Sequence, residues 1–333
     1  MSKTVSKVHE DSQFQSIPIE EFILRPMVLV DTYLKLPNGK YILVAKAGSN
    51  TPSESMEKYR AKNVDILFIR VQDYNRMIRE MVRAASNQGQ SKEISASARF
   101  EVIQQAMEAV YRETYDLGFN DEVYAHAKLV NHSTLTFIAD NPKLSDLVVK
   151  FGQAQHDQMH HSMMVSMVAV MLGSAHDWVK PGTLEKIGLG GFFHDIGKAK
   201  LPNEVLSRPS GRLSRDERVI YESHPEIGAQ ILTAAGSVPD DVLLMVAEHH
   251  ERADGSGYPR GLKDFHISPL ARVVGLANAF VDAIAEEPRP LTSEVTDRVV
   301  EDLEMQRSGQ FNRDALKALY KCLRNPSKRR SVG

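Results

Sequence analysis

Eight of the 12 histidines in this 333-residue chain fall between His156 and His250, where even spacing would place roughly three. Metal or acid–base chemistry is therefore to be sought there first. The densest group, Asp157-Gln158-Met159-His160-His161-Ser162, heads an apolar stretch that runs to Leu172. Residues four apart on a helix share a face. One stripe then holds Asp157, His161, Val165, Val168 and Leu172; a second holds His156, His160, Met164, Met167 and Met171. Periodicity alone does not choose between the two histidine pairs. The methionines at 159, 163, 164, 167 and 171 read as core filling.

The next block, Leu184–Lys198, reads LEKIGLGGFFHDIGK. Its small residues Gly188, Gly190 and Gly191 permit close helix–helix approach before the chain delivers His194 and Asp195. Adjacent helical positions lie about 100° apart, so one residue can bind a metal from one side while the carboxylate bridges to a second. His224 precedes Pro225, a residue well tolerated in the first turn of a helix. Asp240–Glu251 reads as a helix carrying Val242, Val246 and the pair His249-His250. It stops at Asp254-Gly255-Ser256-Gly257, followed by Tyr258-Pro259, a tight and stiff loop beside the paired histidines. His132, His176 and His266 read as satisfied surface or core groups. Five imidazoles with one carboxylate favour Fe, Mn, Zn, Co or Ni over Ca or Mg. More than four ligands implies two metals rather than a closed structural zinc.

These residues need elements to position them. Residues 1–85 read as a small α/β module: Ile17–Val30, Lys40–Ala45 and Val64–Val71 are strand-like. Pro37-Asn38-Gly39 supplies a turn, and Pro52–Lys62 a helix with Ser53 as its cap. Lacking a catalytic constellation, the module reads as regulatory or as an interaction unit. From Ala84 to Ala98 the chain turns to Ser, Gln, Asn and Gly, which places a linker over 86–98. Beyond it Val102, Ala106, Ala109 and Val110, then Leu129, Leu135 and Ile138, recur at helical spacing. Residues 99–333 are therefore expected to form an all-α bundle, and the chain as a whole to be α+β.

Composition narrows the setting. With 41 Lys plus Arg against 43 Asp plus Glu, the chain is neither a disordered polyelectrolyte nor a binder of polymeric nucleic acid. A single cysteine, Cys322, excludes an intramolecular disulfide and a thiolate zinc cluster, and fits a reducing cytoplasm. Met1–Gln15 is too polar for a signal peptide. The uncharged stretch Gln158–His176 carries three His, a Gln and several Ser, so a buried helix is expected rather than a membrane span.

The blocks His161-Ser162, HDIGK at 194–198, HPEIG at 224–228 and HHERADGSGYPRGL at 249–262 resemble the HD-GYP family of bacterial cyclic di-GMP phosphodiesterases, a branch of the HD phosphohydrolases. The likeness covers roughly residues 100–325, and the last block is highly specific. The resemblance implies that His161, His194 and Asp195 ligate one metal, with Asp195 bridging, and that His224, His249 and His250 ligate the second. It implies two divalent ions, Fe or Mn, and a third in some members through the position of Asp157. Lys198 is similar to the family lysine that contacts the scissile phosphate. Tyr258 and Gly257 would shape the substrate pocket and Arg289 would hold a phosphate or base.

One departure matters. In the run from Ala271-Arg272 to Ala277-Asn278, Asn278 stands where the family places a final metal-binding Asp. An amide oxygen still coordinates, but one negative charge is lost. Asp282 lies one turn farther on. The usual substrate-contacting segment is also reduced to Arg289-Pro290-Leu291. The implied activity is hydrolysis of cyclic di-GMP to pGpG and/or GMP by a water activated between metal ions, with Asp195 and Lys198 as catalytic residues. The alternatives are a degenerate cyclic di-GMP receptor or scaffold, and a phosphohydrolase acting on another cyclic dinucleotide. Protein partners are expected through the N-terminal module or the Tyr258 loop, with a homodimer plausible and no membrane partner.

Overall fold

The computed structural model describes residues 13–19, 28–50, 53–141, 158–287, 291–306 and 309–323. The chain divides into two compact units, Met1–Ala84 and Ala85–Gly333. The first holds β1 (Phe14–Pro18), β2 (Thr32–Lys35), β3 (Tyr41–Ala45), α1 (Ser53–Arg60) and β4 (Ile66–Arg70). Helix α2 (Val71–Gln88) leaves directly from β4. The sheet is antiparallel in the order β1-β4-β2-β3. Its alternation follows the pleat: Ile17, Leu67 and Ile69 are buried, while Phe14 stacks on Tyr41 with centroids 3.9 Å apart. Of the run Ile17–Val30 expected as strand, residues 20–27 lie outside the described residues; β1 ends at Pro18, and residues 28–30 precede β2, which opens at Thr32. The turn at Pro37-Asn38-Gly39 is closed by Leu36 and Lys40, whose N and O lie 2.8 Å apart.

The stretch expected as a linker is partly helical. Helix α2 runs on to Gln88 and α3 (Ala96–Asp116) opens at Ala96, leaving only residues 89–95 between them. The polar composition misled here because alanine is a strong helix former. Ala85 is fully buried, and Ser95 caps α3 by accepting from the amide of Ala98.

The second unit continues with α4 (Asp121–Asp140), α5 (Gln158–Ser174), α6 (Pro181–Phe193), a 3-10 turn (Ile196–Lys200) and α7 (Asn203–Leu206). Then come α8 (Arg215–Glu222), α9 (His224–Ala235), α10 (Asp240–Glu248), α11 (Pro269–Ala285), α12 (Ser293–Gln306) and α13 (Arg313–Leu323). Among the described residues no strand follows β4, so the chain is α+β with an all-α second unit. Helix α5 is its axis, buried from Ser162 to Gly173 with α6 and α11 packed against it. A helix apolar on every side belongs in a core, and no described helix is long and apolar enough to cross a membrane. Close approach of α6 depends on Gly191, whose absent Cβ would lie 2.7 Å from the Cα of Ser166. The Ser166 hydroxyl donates across the same contact to the carbonyl of Gly188 at 2.8 Å.

Three predicted metal ligands occupy helix ends. His194 is the C-cap of α6, His224 opens α9 with only Ser223 between it and the end of α8, and His249 is the C-cap of α10. His161 lies in the first turn of α5, and Asn278 lies within α11.

Candidate metal centre

The last carbonyls of a helix have no amide partner within it. Here three of those positions are filled by imidazoles. His194 Nδ1 lies 2.7 Å from the Gly191 carbonyl, His224 Nδ1 2.7 Å from that of Tyr221, and His249 Nδ1 2.7 Å from that of Val246. A carbonyl only accepts, so each Nδ1 carries the proton and each Nε2 is left as a bare lone pair. Fixing the tautomer through the outer nitrogen is how proteins prepare histidine to bind metal. All three residues are fully buried.

The three Nε2 atoms converge on Asp195, itself 1% exposed. Its Oδ2 lies 3.2 Å from His194 Nε2 and 3.7 Å from His161 Nε2. Its Oδ1 lies 3.1 Å from His224 Nε2 and 3.7 Å from His249 Nε2. The carboxylate thus has one oxygen in each of two groups, His161 with His194 on one side and His224, His249 and His250 on the other. Oδ2 also accepts from Lys198 Nζ at 2.6 Å and from Gln158 Nε2 at 2.5 Å.

Electrostatics keep these donors in the forms that bind cations. Burial, reinforced by neighbouring imidazoles, lowers the pKa of His161 and of His249 to about 3. The same causes hold His250 well below the usual histidine range. For Asp195, burial favours the neutral acid, but the neighbouring His194, Lys198 and His224 prevail and hold it well below the usual carboxylate range. Burial disfavours the ammonium of Lys198, yet Asp195 beside it raises its pKa above the usual lysine value.

The donor set fits divalent metal ions. His224 and His249 bring bare Nε2 atoms to 3.3 Å, and the bare Nε2 of His194 lies 3.2 Å from the Nε2 of His161. Buried lone pairs facing each other at that distance repel unless a proton or a cation lies between them. Asp195 Oδ1, His250 Nε2 and Asn278 Oδ1 are also buried without a hydrogen-bond partner. Unsatisfied buried acceptors of this kind are uncommon, and these three lie where ligands are expected.

The paired histidines lead into the Tyr258 loop. The Tyr258 ring stacks on His250 with centroids 4.5 Å apart, and its amide donates to the His250 carbonyl at 3.2 Å. A Cβ on Gly257 would come within 2.4 Å of the His250 carbonyl oxygen and of the Arg252 nitrogen, so only glycine lets the loop fold back this tightly. Two buried carboxylates hold it. Glu251 accepts from the amides of Arg260 at 2.8 Å and Leu262 at 2.7 Å. Glu248 accepts from the Arg260 guanidinium and from the amide of Ser268 at 2.7 Å.

The choice between histidine pairs on α5 is made by packing. His161 faces His194 and Asp195, whereas His160 turns to Gln104 on α3, 3.3 Å away. Asn278 is 2% exposed and its side chain lies beside His161, raising that histidine's pKa against the larger effects of burial and charge. Asp157 and Arg289 lie outside the described residues. Sequence reasoning missed Gln158 and Tyr115, whose hydroxyl donates to the Asp195 carbonyl at 3.4 Å. It missed Tyr221, with Lys198 Nζ 5.4 Å above its ring, and the carboxylates of Glu248 and Glu251. Only the flanking of the paired histidines by Glu248 and Glu251 was available in the sequence as a signal.

The family model described as an HD domain matches residues 139–308. Among curated proteins the chain is similar to the cyclic di-GMP phosphodiesterase PA4108 of Pseudomonas aeruginosa, 34% identical over 165 residues, 49% of this chain and 39% of that protein. It is similar to the cyclic di-GMP phosphodiesterase response regulator RpfG of Xanthomonas campestris pv. campestris, 35% identical over 133 residues, 40% of this chain and 33% of that protein. A 3'3'-cGAMP-specific phosphodiesterase 2 of Vibrio cholerae is 32% identical over 119 residues, 35% of this chain and 22% of that protein. The chain thus spans well under half the length of these relatives. In fold it is similar to Bd1817, a HDG"Y"P protein from Bdellovibrio bacteriovorus, with a TM-score of 0.70 and 21% identity over 93% of this chain and 99% of that one.

Proposed function

The chain belongs to the HD-domain family, and from that premise we propose that it is a metal-dependent phosphodiesterase hydrolysing cyclic di-GMP to pGpG and GMP. The observation that carries the reading is Asp195, with one carboxylate oxygen turned to each of two imidazole groups. His161, His194 and Asp195 would hold one ion, with Asn278 at its side; Asp195, His224, His249 and His250 would hold the other. Nitrogen-rich donors with a single carboxylate suit Fe, Mn, Zn, Co or Ni, and of these the family resemblance implies Fe or Mn. Divalent ions bound this way acidify water and neutralise phosphate oxygens.

The chain's own groups account for the rest. Asp195 keeps its charge under burial and ties the two groups together. Lys198, cationic and 2.6 Å from Asp195, is placed to turn to a phosphate oxygen as charge develops there. Tyr258, stacked on His250 and held there by the Gly257 turn, would shape the substrate pocket. Arg289 and Asp157 keep the roles of phosphate or base contact and of ligand to a third ion. The reaction belongs in the cytoplasm, with the N-terminal unit as a regulatory or interaction module and a homodimer or the Tyr258 loop as the route to protein partners.

Asn278 favours a second reading, a cyclic di-GMP receptor with slow turnover, since it removes one anionic ligand from the His161 side. Chromatography of cyclic di-GMP, 3'3'-cGAMP and cyclic di-AMP after incubation with Mn(II)- or Fe(II)-loaded protein separates the readings. Faster loss of cyclic di-GMP, with pGpG appearing first, is the expected result. Preference for another cyclic dinucleotide would overturn the substrate assignment, and binding without product would establish the receptor.

A further inference from the structure

We infer that Asp282 is a positioning residue that fixes the tautomer of His161 and returns to this end of the metal centre the negative charge Asn278 lacks; the inference rests on the metal-dependent reading above. His161 differs from three of its fellow ligands. His194, His224 and His249 each place Nδ1 on a helix-end carbonyl. His161 lies in the first turn of α5, where carbonyls are committed to the helix that follows. Its Nδ1 instead faces Asp282 Oδ1 at 3.6 Å.

That contact has a consequence for the proton. His194 already presents a bare Nε2, and the His161 Nε2 lies 3.2 Å from it. For both to donate lone pairs to one ion, the His161 proton must be on Nδ1, the atom that Asp282 faces. A carboxylate on the outer nitrogen stabilises this tautomer and makes the ring a stronger donor. At 3.6 Å the influence is that of charge rather than of a hydrogen bond.

The same helix supplies the second half of the argument. Asn278 and Asp282 are four residues apart on α11 and share its face toward His161. The neutral amide is buried at 2% exposure with its oxygen unpartnered, and the carboxylate stands one turn beyond it with a side chain 57% exposed. Burial among its neighbours and the charge of Asp195 raise the Asp282 pKa to about 6, yet an ionised group is easier to maintain there than at the fully buried position of Asn278. Charge is thus placed one turn outward from the ligand position.

The test is Mn(II) binding by the 333-residue chain, read as metal per chain after gel filtration and as affinity by titration calorimetry. The set is the unaltered chain, Asp282→Asn, Asn278→Asp and the double variant, with thermal melting of the metal-free forms as a check on folding. Asp282→Asn is expected to weaken one equivalent of Mn(II) by roughly 10- to 100-fold. Adding Asn278→Asp in the same chain should restore it, and Asp282→Glu should retain part of it. Unchanged Mn(II) affinity in Asp282→Asn overturns the assignment, as does a loss that Asn278→Asp does not restore. An unaltered chain that binds no Mn(II) or Fe(II) contradicts the metal-dependent reading itself.

Discussion

The Nε2 atoms of His224 and His249 meet at 3.3 Å in a fully buried setting, each ring having placed Nδ1 on a backbone carbonyl at 2.7 Å. Neither nitrogen can donate to the other in those tautomers. The arrangement is costly for an empty protein and favourable around a cation, so the backbone has prepared the site for a ligand before one arrives.

Removing Asp195 is expected to disable both metal groups together, because one of its oxygens faces each. Asp195→Ala should lower metal per chain in elemental analysis and abolish turnover in the same preparation. Metal content equal to that of the unaltered chain would show that the ligands lie elsewhere.

Lys198 should behave differently. Lys198→Ala removes a cation without removing a ligand, so metal content is expected to persist while turnover falls by about 100-fold, the usual scale for one charge-stabilising group. Its partner Asp195 keeps the Gln158 hydrogen bond. Loss of metal along with activity would mean that Lys198 acts by holding Asp195 rather than by meeting substrate.

Acid should weaken the metal-free protein. His161 and His249 have folded-state pKa values lowered to about 3, from 6.5 in the unfolded chain, with burial as the main cause. Between those values the unfolded state binds protons that the folded state refuses, so stability falls as pH drops from about 6.5 toward 3. Urea midpoints of metal-stripped protein across that window measure it. His249→Asn should flatten the slope; an identical slope in that variant would remove His249 from the account.

The Tyr258 loop is expected to depend on its buried carboxylates. Arg260→Met leaves Glu248 buried with only the Ser268 amide as partner, at a cost of about 1–3 kcal/mol. Thermal melting should register this loss, and the Michaelis constant for cyclic di-GMP should rise as Tyr258 loosens over His250. A variant as stable as the parent would show that Glu248 finds another partner.

Much of the candidate site was legible because its proposed ligands come in local blocks. His194-Asp195, His224-Pro225 and His249-His250 announce themselves by residue type, and each falls at a helix end that the flanking glycines and prolines mark. The choice of His161 over His160 was not legible, since both fit helical spacing. Gln104, 56 positions earlier, takes His160 away from the centre. The carbonyl partners of the ring nitrogens were hidden for a similar reason: they depend on where each helix stops. The residues around Ala85 show the reverse error, where polar composition suggested a linker and burial of a single alanine extends the helix.

The most direct measurement is turnover of cyclic di-GMP by one preparation before chelator treatment, after it, and after Mn(II) is returned, with metal per chain determined at each stage. Hydrolysis should vanish with the metal and return in proportion to it. Turnover that survives complete stripping, or none in fully loaded protein that still binds cyclic di-GMP, would contradict the account.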